Sequence, residues 1–204
     1  MIGADLFVDE IEKLGIDFFT GVPDSQLKPF TNEIISRYGV GRKNVIAANE
    51  GNAVGLASGY YIATDKPGCV YLQNSGLGNI FNPVTSLTNE EVYGIPVLYV
   101  VGWRGEPDVH DEPQHVFQGK ITLQTLELLN IKAFDIHKDI TVEKMSEIFN
   151  EISQRFLNRE SSALVIRKGA LENKTKVQFS NHNTLVRESA IKKIIECIPK
   201  ESLI

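Results

Sequence analysis

Short apolar runs alternate with longer segments of helical character along most of this 204-residue chain, and this alternation restricts its fold more than any other feature. Apolar runs of this length, with few charges, are typical of strands that are buried on both faces of a parallel sheet. The segments between them are long enough to be helices that cross over from one strand to the next. We therefore predict an α/β fold: a doubly wound, mostly parallel sheet with helices on both faces.

The predicted strands and helices follow one another in a regular order. The apolar runs predict strands at residues 16–20, 44–48, 68–73, 96–102, 132–135 and 163–167. Helical spacing of apolar residues predicts helices at residues 2–14, 25–37, 50–63, 78–89, 120–129, 142–157 and 185–198. Ser25 is placed to cap the second of these helices. The polar stretch 103–118 has no clear period and predicts a loop.

Composition and charge exclude several classes of function. Apolar residues make up 42% of the chain and charged residues 23%, which is ordinary for a globular protein. The formal charge of −5, without a long basic run, argues against a nucleic-acid partner. No stretch reaches the ~18 apolar residues that a membrane helix needs, and no secretory signal begins the chain. With two distant cysteines, Cys69 and Cys197, the sequence predicts a cytoplasmic protein without a membrane partner.

The chain is predicted to contain one domain, a linker and the beginning of a second domain. Residues 1–170 form the predicted domain, and the polar residues 171–184 form the linker. Residues 185–204 are interpreted as the first helix of a truncated following domain, because Leu203 and Ile204 begin an apolar run. The alternative is that these two residues are a frayed terminus.

Four polar residues follow predicted strands directly, which is where open parallel sheets collect their ligands. These residues are Asp24, Glu50, Ser75 and Arg104. Glu50 lies among small residues that allow another group to approach the backbone closely. A negative charge that favours the dipole of the next helix is an equally simple explanation of Glu50.

Two further segments could take part in ligand binding or catalysis. Residues 73–79 place two glycines and a serine between a strand and a helix, where backbone amides can face a ligand. They match neither a P-loop nor a dinucleotide motif, so an ordinary tight turn is the alternative. Residues 102–115 gather histidines, acidic residues and an arginine, as a site or a solvated loop would. The His-Glu-x-x-His motif of zinc sites is absent, and we predict no metal site in this chain.

Taken in order, several of these segments resemble the pyrimidine-binding domain of the thiamine-diphosphate-dependent 2-oxoacid decarboxylases. The matching segments are Gly21-Val22-Pro23-Asp24, Glu50-Gly51-Asn52-Ala53 and Asn74-Ser75-Gly76-Leu77-Gly78-Asn79. Gly102-Trp103-Arg104-Gly105 and Glu112-Pro113-Gln114-His115 indicate the phosphonopyruvate branch of the family, with the sulfopyruvate decarboxylase α subunit close to it. Each motif is weak alone, whereas their common order and spacing make the resemblance specific.

The resemblance implies roles for individual residues. Glu50 would contact the aminopyrimidine of thiamine diphosphate, and Asp24 and His115 would transfer protons near the substrate. The cofactor-binding residues implied are Glu50, Asn74, Ser75, Gly76, Gly78 and Asn79. The substrate-binding residues implied are Ser25, Arg104 and Gln114. The planar guanidinium of Arg104 would suit an anionic group of the substrate.

The resemblance also implies an activity and a partner. The activity is decarboxylation of 3-phosphonopyruvate to phosphonoacetaldehyde and CO2, with this chain supplying the pyrimidine-binding half. The family's Gly-Asp-Gly motif, which holds the diphosphate and Mg²⁺, is absent from this sequence. The Mg²⁺ ligands are therefore expected in a diphosphate-binding domain or subunit, and the full-length protein is expected to be a homo-oligomer. Alone, this chain is expected to bind little or no cofactor and to be inactive.

Three alternatives remain open at the level of the sequence. The chain could be a sulfopyruvate decarboxylase α subunit, an acetolactate-synthase-like carboligase, or a non-catalytic interaction subunit of the same fold. Glu50 counts against the last alternative, because the fold alone does not require a glutamate there. Phosphonate and sulfonate substrates are anions of similar shape, so the sequence does not rank the first alternative against the phosphonopyruvate activity.

Overall fold

The structure is a computed structural model that describes residues 1–178, 182–199 and 201. Its strands are β1 (Ile2–Gly3), β2 (Phe19–Gly21), β3 (Asn44–Ile46), β4 (Gly68–Gln73), β5 (Val97–Gly102), β6 (Lys132–Ile136), β7 (Ser162–Ile166) and β8 (Leu171–Glu172). Its α-helices are α1 (Ala4–Lys13), α2 (Lys28–Tyr38), α3 (Glu50–Thr64), α4 (Leu77–Pro83), α5 (Pro113–Leu128), α6 (Val142–Leu157) and α7 (Arg187–Cys197). A 3₁₀ turn (Asn74–Gly76) precedes α4, and a π-helical turn (Val84–Thr88) follows it.

Six parallel strands form one sheet in the order β3-β2-β4-β5-β7-β6. Helices α1, α2 and α6 cover one face, where Phe7, Phe30 and Phe149 belong to one hydrophobic core. Helices α3, α4 and α5 cover the other face, where residues such as Val54 and Ile80 belong to a second core. The predicted doubly wound α/β fold is therefore confirmed, because both faces of the sheet are buried against helices.

The structure corrects three details of the predicted elements. Ser25 does not cap α2: the helix begins at Lys28, after Leu27, without a side-chain cap. The predicted loop 103–118 is wrong in its second half, because α5 already begins at Pro113. The predicted helix 78–89 is interrupted after Pro83, whose missing N–H and bulky ring disrupt regular α-helical bonding, and continues as the π-helical turn.

The segment after β7 returns to the domain instead of leaving it at once. Leu171 and Glu172, which lie in the predicted linker, form β8 and pair with β1 in parallel. The backbone carbonyl of Thr175 then accepts a hydrogen bond from Asn32 at 3.1 Å. No residue of α7, the helix predicted at 185–198, is buried. The domain boundaries stay predictions, and Leu203 and Ile204 lie outside the described residues.

One further property of the helices follows from their length and composition. Within the part of the chain that the structure describes, no helix combines the length and the apolar character needed to span a membrane.

Gly21, the last residue of β2, shows how closely β2 and β4 pack. It lies opposite Tyr71 in the parallel ladder. A Cβ atom at Gly21 would lie 2.0 Å from the Tyr71 carbonyl oxygen and 2.6 Å from its ring. Both contacts involve a buried central strand, so neither can move aside without disturbing the sheet.

We expect the substitution Gly21→Ala to lower the free energy of unfolding by about 3 kcal/mol, because the added methyl group overpacks the sheet. Gly59→Ala is the matched control, because Gly59 lies in α3 and a Cβ atom there faces open space. The control should raise the free energy of unfolding by about 0.5–1 kcal/mol through helix propensity. Urea denaturation followed by circular dichroism measures both changes. Equal stability of the two variants would contradict the close packing at Gly21.

Candidate active site at the carboxyl edge of the sheet

The parallel sheet brings most of the predicted site residues to one edge. Its strands all run in the same direction, so the residues that follow them lie beyond the same edge. Asp24 follows β2, Glu50 follows β3, Asn74 follows β4, and Arg104 follows β5. Open α/β sheets bind their ligands at this edge.

Glu50 is the first residue of α3, and only 8% of its surface is exposed. The helix begins there because the side chain of Asn49 accepts a hydrogen bond from the Asn52 N–H at 2.9 Å. Asn79 donates its side-chain N–H to Oε2 of Glu50 at 2.7 Å. A Cβ atom at Gly76 would lie 2.4 Å from the Glu50 carboxyl carbon. The carboxylate is thus held in one orientation, in space that only a glycine leaves open.

Helices α3 and α4 approach each other closely beside this carboxylate. A Cβ atom at Gly51 would lie 2.8 Å from the carbonyl oxygen of Asn79 and 3.8 Å from the ring of Pro83. The π-helical turn begins directly after Pro83, and π-helical turns occur frequently at functional sites. Because Gly51 has no side chain, α4 can come close enough to α3 for Asn79 to contact Glu50.

Asp24 lies in the turn between β2 and α2 and is buried. Its Oδ2 accepts a hydrogen bond from the backbone N–H of Gln26 at 2.8 Å. The side-chain amide of Gln26 donates to the carbonyl oxygens of Trp103 at 3.1 Å and Ile166 at 2.7 Å. This turn is therefore fixed to the ends of β5 and β7, and a Cβ atom at Gly102 would lie 2.7 Å from Oδ2 of Asp24.

The segment Gly102 to Gly105 packs against the beginning of α5. Trp103 is buried and donates its indole N–H to the carbonyl oxygen of Gly119 at 2.9 Å. A Cβ atom at Gly119 would lie 1.6 Å from the carbonyl oxygen of Gly105, and Gly105 has a φ of 65°. Glycine is required at Gly105 both by its left-handed backbone and by the contact with α5.

Arg104 is held by Asp111 in the loop before α5. Its Nε donates to Oδ2 of Asp111 at 2.7 Å, and its Nη2 donates to Oδ1. The backbone N–H groups of Gly105 and Glu112 donate to the same carboxylate at 2.8 Å and 2.9 Å. The hydrogen bond from Arg104 holds the pKa of Asp111 well below its usual range, the two backbone N–H groups lower it further, and burial opposes them. Asp111 therefore fixes the orientation of Arg104 and neutralises much of its charge.

Asn74 connects the turn after β4 to this arginine loop and to α5. It is fully buried, and its side-chain N–H groups donate to the Arg104 carbonyl oxygen and to Oγ1 of Thr122, both at 2.8 Å. Its Oδ1 accepts the backbone N–H of Arg104 at 3.1 Å. The amide of Asn74 thus joins three segments of the site, and its role as a cofactor-binding group stays a prediction.

Four predicted site residues stand apart from these contacts. Ser75 is exposed and accepts a hydrogen bond from Gln73 at 2.7 Å, and a Cβ atom at Gly78 would face open space. Gln114 is exposed in the first turn of α5, and His115 beside it is half-buried. Among residues 1–178, 182–199 and 201, no group of three or more His, Cys, Asp or Glu side chains could hold a metal ion. The assignments of these four residues stay predictions.

Arg167, which follows β7 at the same edge, is not among the predicted site residues. Arg167 donates to Asp135 at 2.7 Å and to Glu106 at 2.7 Å, and its guanidinium lies 5.1 Å from the centroid of the Trp103 ring. Its position at the end of a predicted strand was the available signal. The partner role of Asp111 could not be read from the sequence, because several acidic residues surround Arg104 along the chain.

We expect Asp111→Asn to lower the free energy of unfolding by about 2 kcal/mol at pH 7, because a charge-assisted hydrogen-bond network is lost. The pKa of Asp111 is depressed in the folded protein, so its contribution is present above the pKa of an unfolded Asp, about 4, and is lost as the pH falls below it. Urea denaturation at pH 7 and pH 3 should show the difference between wild type and variant shrinking. The exposed Asp139, substituted to Asn, is the control without such a network.

Comparison with protein-family models matches residues 1–127 to the family described as "Thiamine pyrophosphate enzyme, N-terminal TPP binding domain". The phosphonopyruvate decarboxylase of Streptomyces viridochromogenes is 39% identical over 132 residues, which cover 65% of this chain and 32% of that protein. The phosphonopyruvate decarboxylase of Streptomyces hygroscopicus is 38% identical over 122 residues, 60% of this chain and 29% of that protein. The chain thus spans about a third of the length of these relatives.

The sulfopyruvate decarboxylase subunit alpha of Methanococcus maripaludis is 29% identical over 152 residues, which cover 74% of this chain and 86% of that subunit. Glu50, Gly76 and Asn79 all lie within the segment that the family model matches. The resemblance predicted from the motifs is confirmed: this chain belongs to the family of thiamine pyrophosphate enzymes, as an N-terminal TPP-binding domain.

Proposed function

We propose that this chain supplies the pyrimidine-binding half of a thiamine-diphosphate-dependent enzyme that decarboxylates 3-phosphonopyruvate to phosphonoacetaldehyde and CO2. The observation that carries the proposal is the buried Glu50 carboxylate, held by Asn79 beside Gly76 inside the matched segment. The similarity to two phosphonopyruvate decarboxylases supports the substrate.

The geometry around Glu50 fits an aminopyrimidine. Oε2 of Glu50 accepts the hydrogen bond from Asn79, while no hydrogen bond from the described part of the chain reaches Oε1. Oε1 can therefore accept a hydrogen bond from a protonated ring nitrogen, and the burial of Glu50 would strengthen such a bond. When bound, thiamine diphosphate supplies the electron sink for the loss of CO2. Glu50 would orient the cofactor and favour removal of its reactive proton.

Other residues of the edge would act on the substrate. Asp24 and His115 are the proposed groups for proton transfer, since carboxylate and imidazole side chains act as general acids and bases when they lie near a reacting atom. Asp24 is held in place by the Gln26 N–H. Ser25, Arg104 and Gln114 are the proposed substrate-binding residues, and Arg104 reaches within 3.4 Å of the Ser25 hydroxyl.

The remaining parts of the site are proposed to come from a partner. A diphosphate-binding domain or subunit would hold the diphosphate and Mg²⁺, and the full-length protein would act as a homo-oligomer. The similarity to subunits called alpha supports a partner of this kind. We place the assembled enzyme in the cytoplasm.

One observation supports sulfopyruvate as a second candidate substrate. The alignment covers 86% of the sulfopyruvate decarboxylase subunit alpha of Methanococcus maripaludis, but only 32% of the phosphonopyruvate decarboxylase of Streptomyces viridochromogenes. Assays of the assembled enzyme with phosphonopyruvate, sulfopyruvate and pyruvate, with analysis of the aldehyde or acetolactate formed, separate these activities. Phosphonoacetaldehyde should be the main product, and release of no CO2 from any of the three acids would refute the proposal.

In the assembled enzyme, Glu50→Gln should lower kcat by about 10²–10⁴-fold, because the amide cannot take the place of a carboxylate in promoting proton removal. The fold should be unchanged, since the side chain keeps its size. Glu147→Gln, an exposed pair with Lys144 on α6, is the matched control and should leave kcat unchanged. A near-normal kcat in the Glu50 variant would exclude the assigned role.

Gly76→Ala tests the position of the carboxylate without altering its chemistry. The backbone of Gly76, with φ −73°, suits any residue, and the three atoms nearest to the added methyl group all belong to the Glu50 side chain. That side chain can rotate away, and we expect kcat to fall about 10–100-fold while the free energy of unfolding changes by less than about 1 kcal/mol. Gly41→Ala, where a Cβ atom faces open space, is the control. Unchanged kcat in Gly76→Ala would show that the orientation of Glu50 is not required.

A further inference from the structure

A cavity of about 480 Å³ opens at the carboxyl edge of the sheet, beyond the ends of β2, β5 and β7. It is lined by charged and polar side chains together with parts of the segment that leads to β8. The charged and hydroxyl groups in its wall are Ser25, Lys28, Arg104, Asp111, Arg167 and Lys168. Four of these six residues are cations and only one is an anion.

The two arginines of the cavity are already paired. Arg104 is bound by Asp111, and Arg167 is bound by Asp135 and Glu106. Their charges are largely balanced, so these arginines shape the wall more than they attract a new anion.

The two lysines of the cavity differ from the arginines in this respect. Lys28 begins α2, and Lys168 follows β7; both are exposed. Within residues 1–178, 182–199 and 201, neither lysine lies within ion-pair distance of a carboxylate. Each can offer up to three N–H donors to a ligand.

Two unpaired cations in one concave wall are notable in a chain with a formal charge of −5. A cleft that gathers charge of one sign raises the local concentration of ligands of the opposite sign. Lysine is well suited to a phosphonate or sulfonate group, because its ammonium is a compact charge with donors that can rotate. The Ser25 hydroxyl, on the same wall, adds a neutral donor.

The cavity also adjoins the groups assigned to catalysis. Ser25 directly follows Asp24, and the Ser25 hydroxyl lies 3.4 Å from Nη1 of Arg104. A ligand that contacts Asp24 can therefore extend past Ser25 into the cavity whose wall contains both lysines. This arrangement suits a 2-oxoacid that carries a second anionic group at the end away from its carboxylate.

We propose that Lys28 and Lys168 bind the phosphonate or sulfonate group of the substrate in this cavity, while Arg104, held by Asp111 beside Ser25, keeps the substrate-binding role proposed above. The inference rests on the proposed function and deepens it, because it names the side chains that would distinguish an anionic 2-oxoacid from pyruvate.

The first experiment measures anion binding by the 204-residue chain itself. Methylphosphonate, inorganic phosphate and methanesulfonate are titrated at constant ionic strength and followed by ¹H–¹⁵N NMR. Methylphosphonate should shift the amide signals of Ser25 and Lys168 in a saturable manner. Lys28→Gln and Lys168→Gln should each weaken this binding roughly tenfold, the size expected for one hydrogen bond to a charged group. Lys132→Gln is the control, because Lys132 is the first residue of β6 and lies at the amino edge of the sheet, away from the cavity.

The second experiment identifies the source of the anion. In the assembled enzyme, the two variants should raise KM for phosphonopyruvate about tenfold and leave KM for pyruvate unchanged, because pyruvate lacks the second anionic group. Binding that the variants weaken, with KM for phosphonopyruvate unchanged, would assign the cavity to free phosphate and overturn the inference. Absence of saturable binding, or equal weakening by Lys132→Gln, would also overturn it. If the assembled enzyme decarboxylates phosphonopyruvate in those cases, the proposed function survives; loss of all decarboxylation refutes the function itself.

Discussion

The pairing of β4 with β5 is the constraint on which the rest of the molecule depends. Six residues of each strand pair in parallel, and every residue of β5 is buried. Because Gln73 lies opposite Gly102 in this ladder, the turns after both strands begin side by side. Asn74 and Arg104 can therefore exchange backbone and side-chain hydrogen bonds, and the remaining parallel strands add their own turns to the same edge.

The glycines at this edge of the sheet are as important as its polar groups. Glu50 occupies the space beside Gly76, Asp24 lies against Gly102, and the beginning of α5 contacts Gly105. At each position a methyl group would overlap a carboxylate or the backbone, so the carboxylate would have to turn away or the backbone would have to shift. The glycines therefore allow carboxylates to be partly withdrawn from water while they remain at the edge that faces a ligand.

Much of the fold was predictable, because strands buried on both faces leave an unmistakable apolar pattern; β4 and α6 have the predicted bounds. The beginning of α5 was missed because its first two turns bury no residue before Gly119, so they show no apolar face. The signal that could have located it is Pro113, at the first helical position. Ser25 was misassigned as a cap because Asp24 accepts the nearby N–H of Gln26 instead, and the helix begins later.

The sequence by itself determined the order of the six strands of the main sheet and of the helices between them, the family, and the place of Glu50 at the start of a helix beside small residues. Only the tertiary structure decided which charges meet. Arg104 is neutralised by Asp111, while Lys28 and Lys168, distant along the chain, lie in one cavity without carboxylate partners among the described residues. Periodicity records which side of an element is buried, whereas the pairing of charges depends on how turns from separate strands converge at the edge of the sheet.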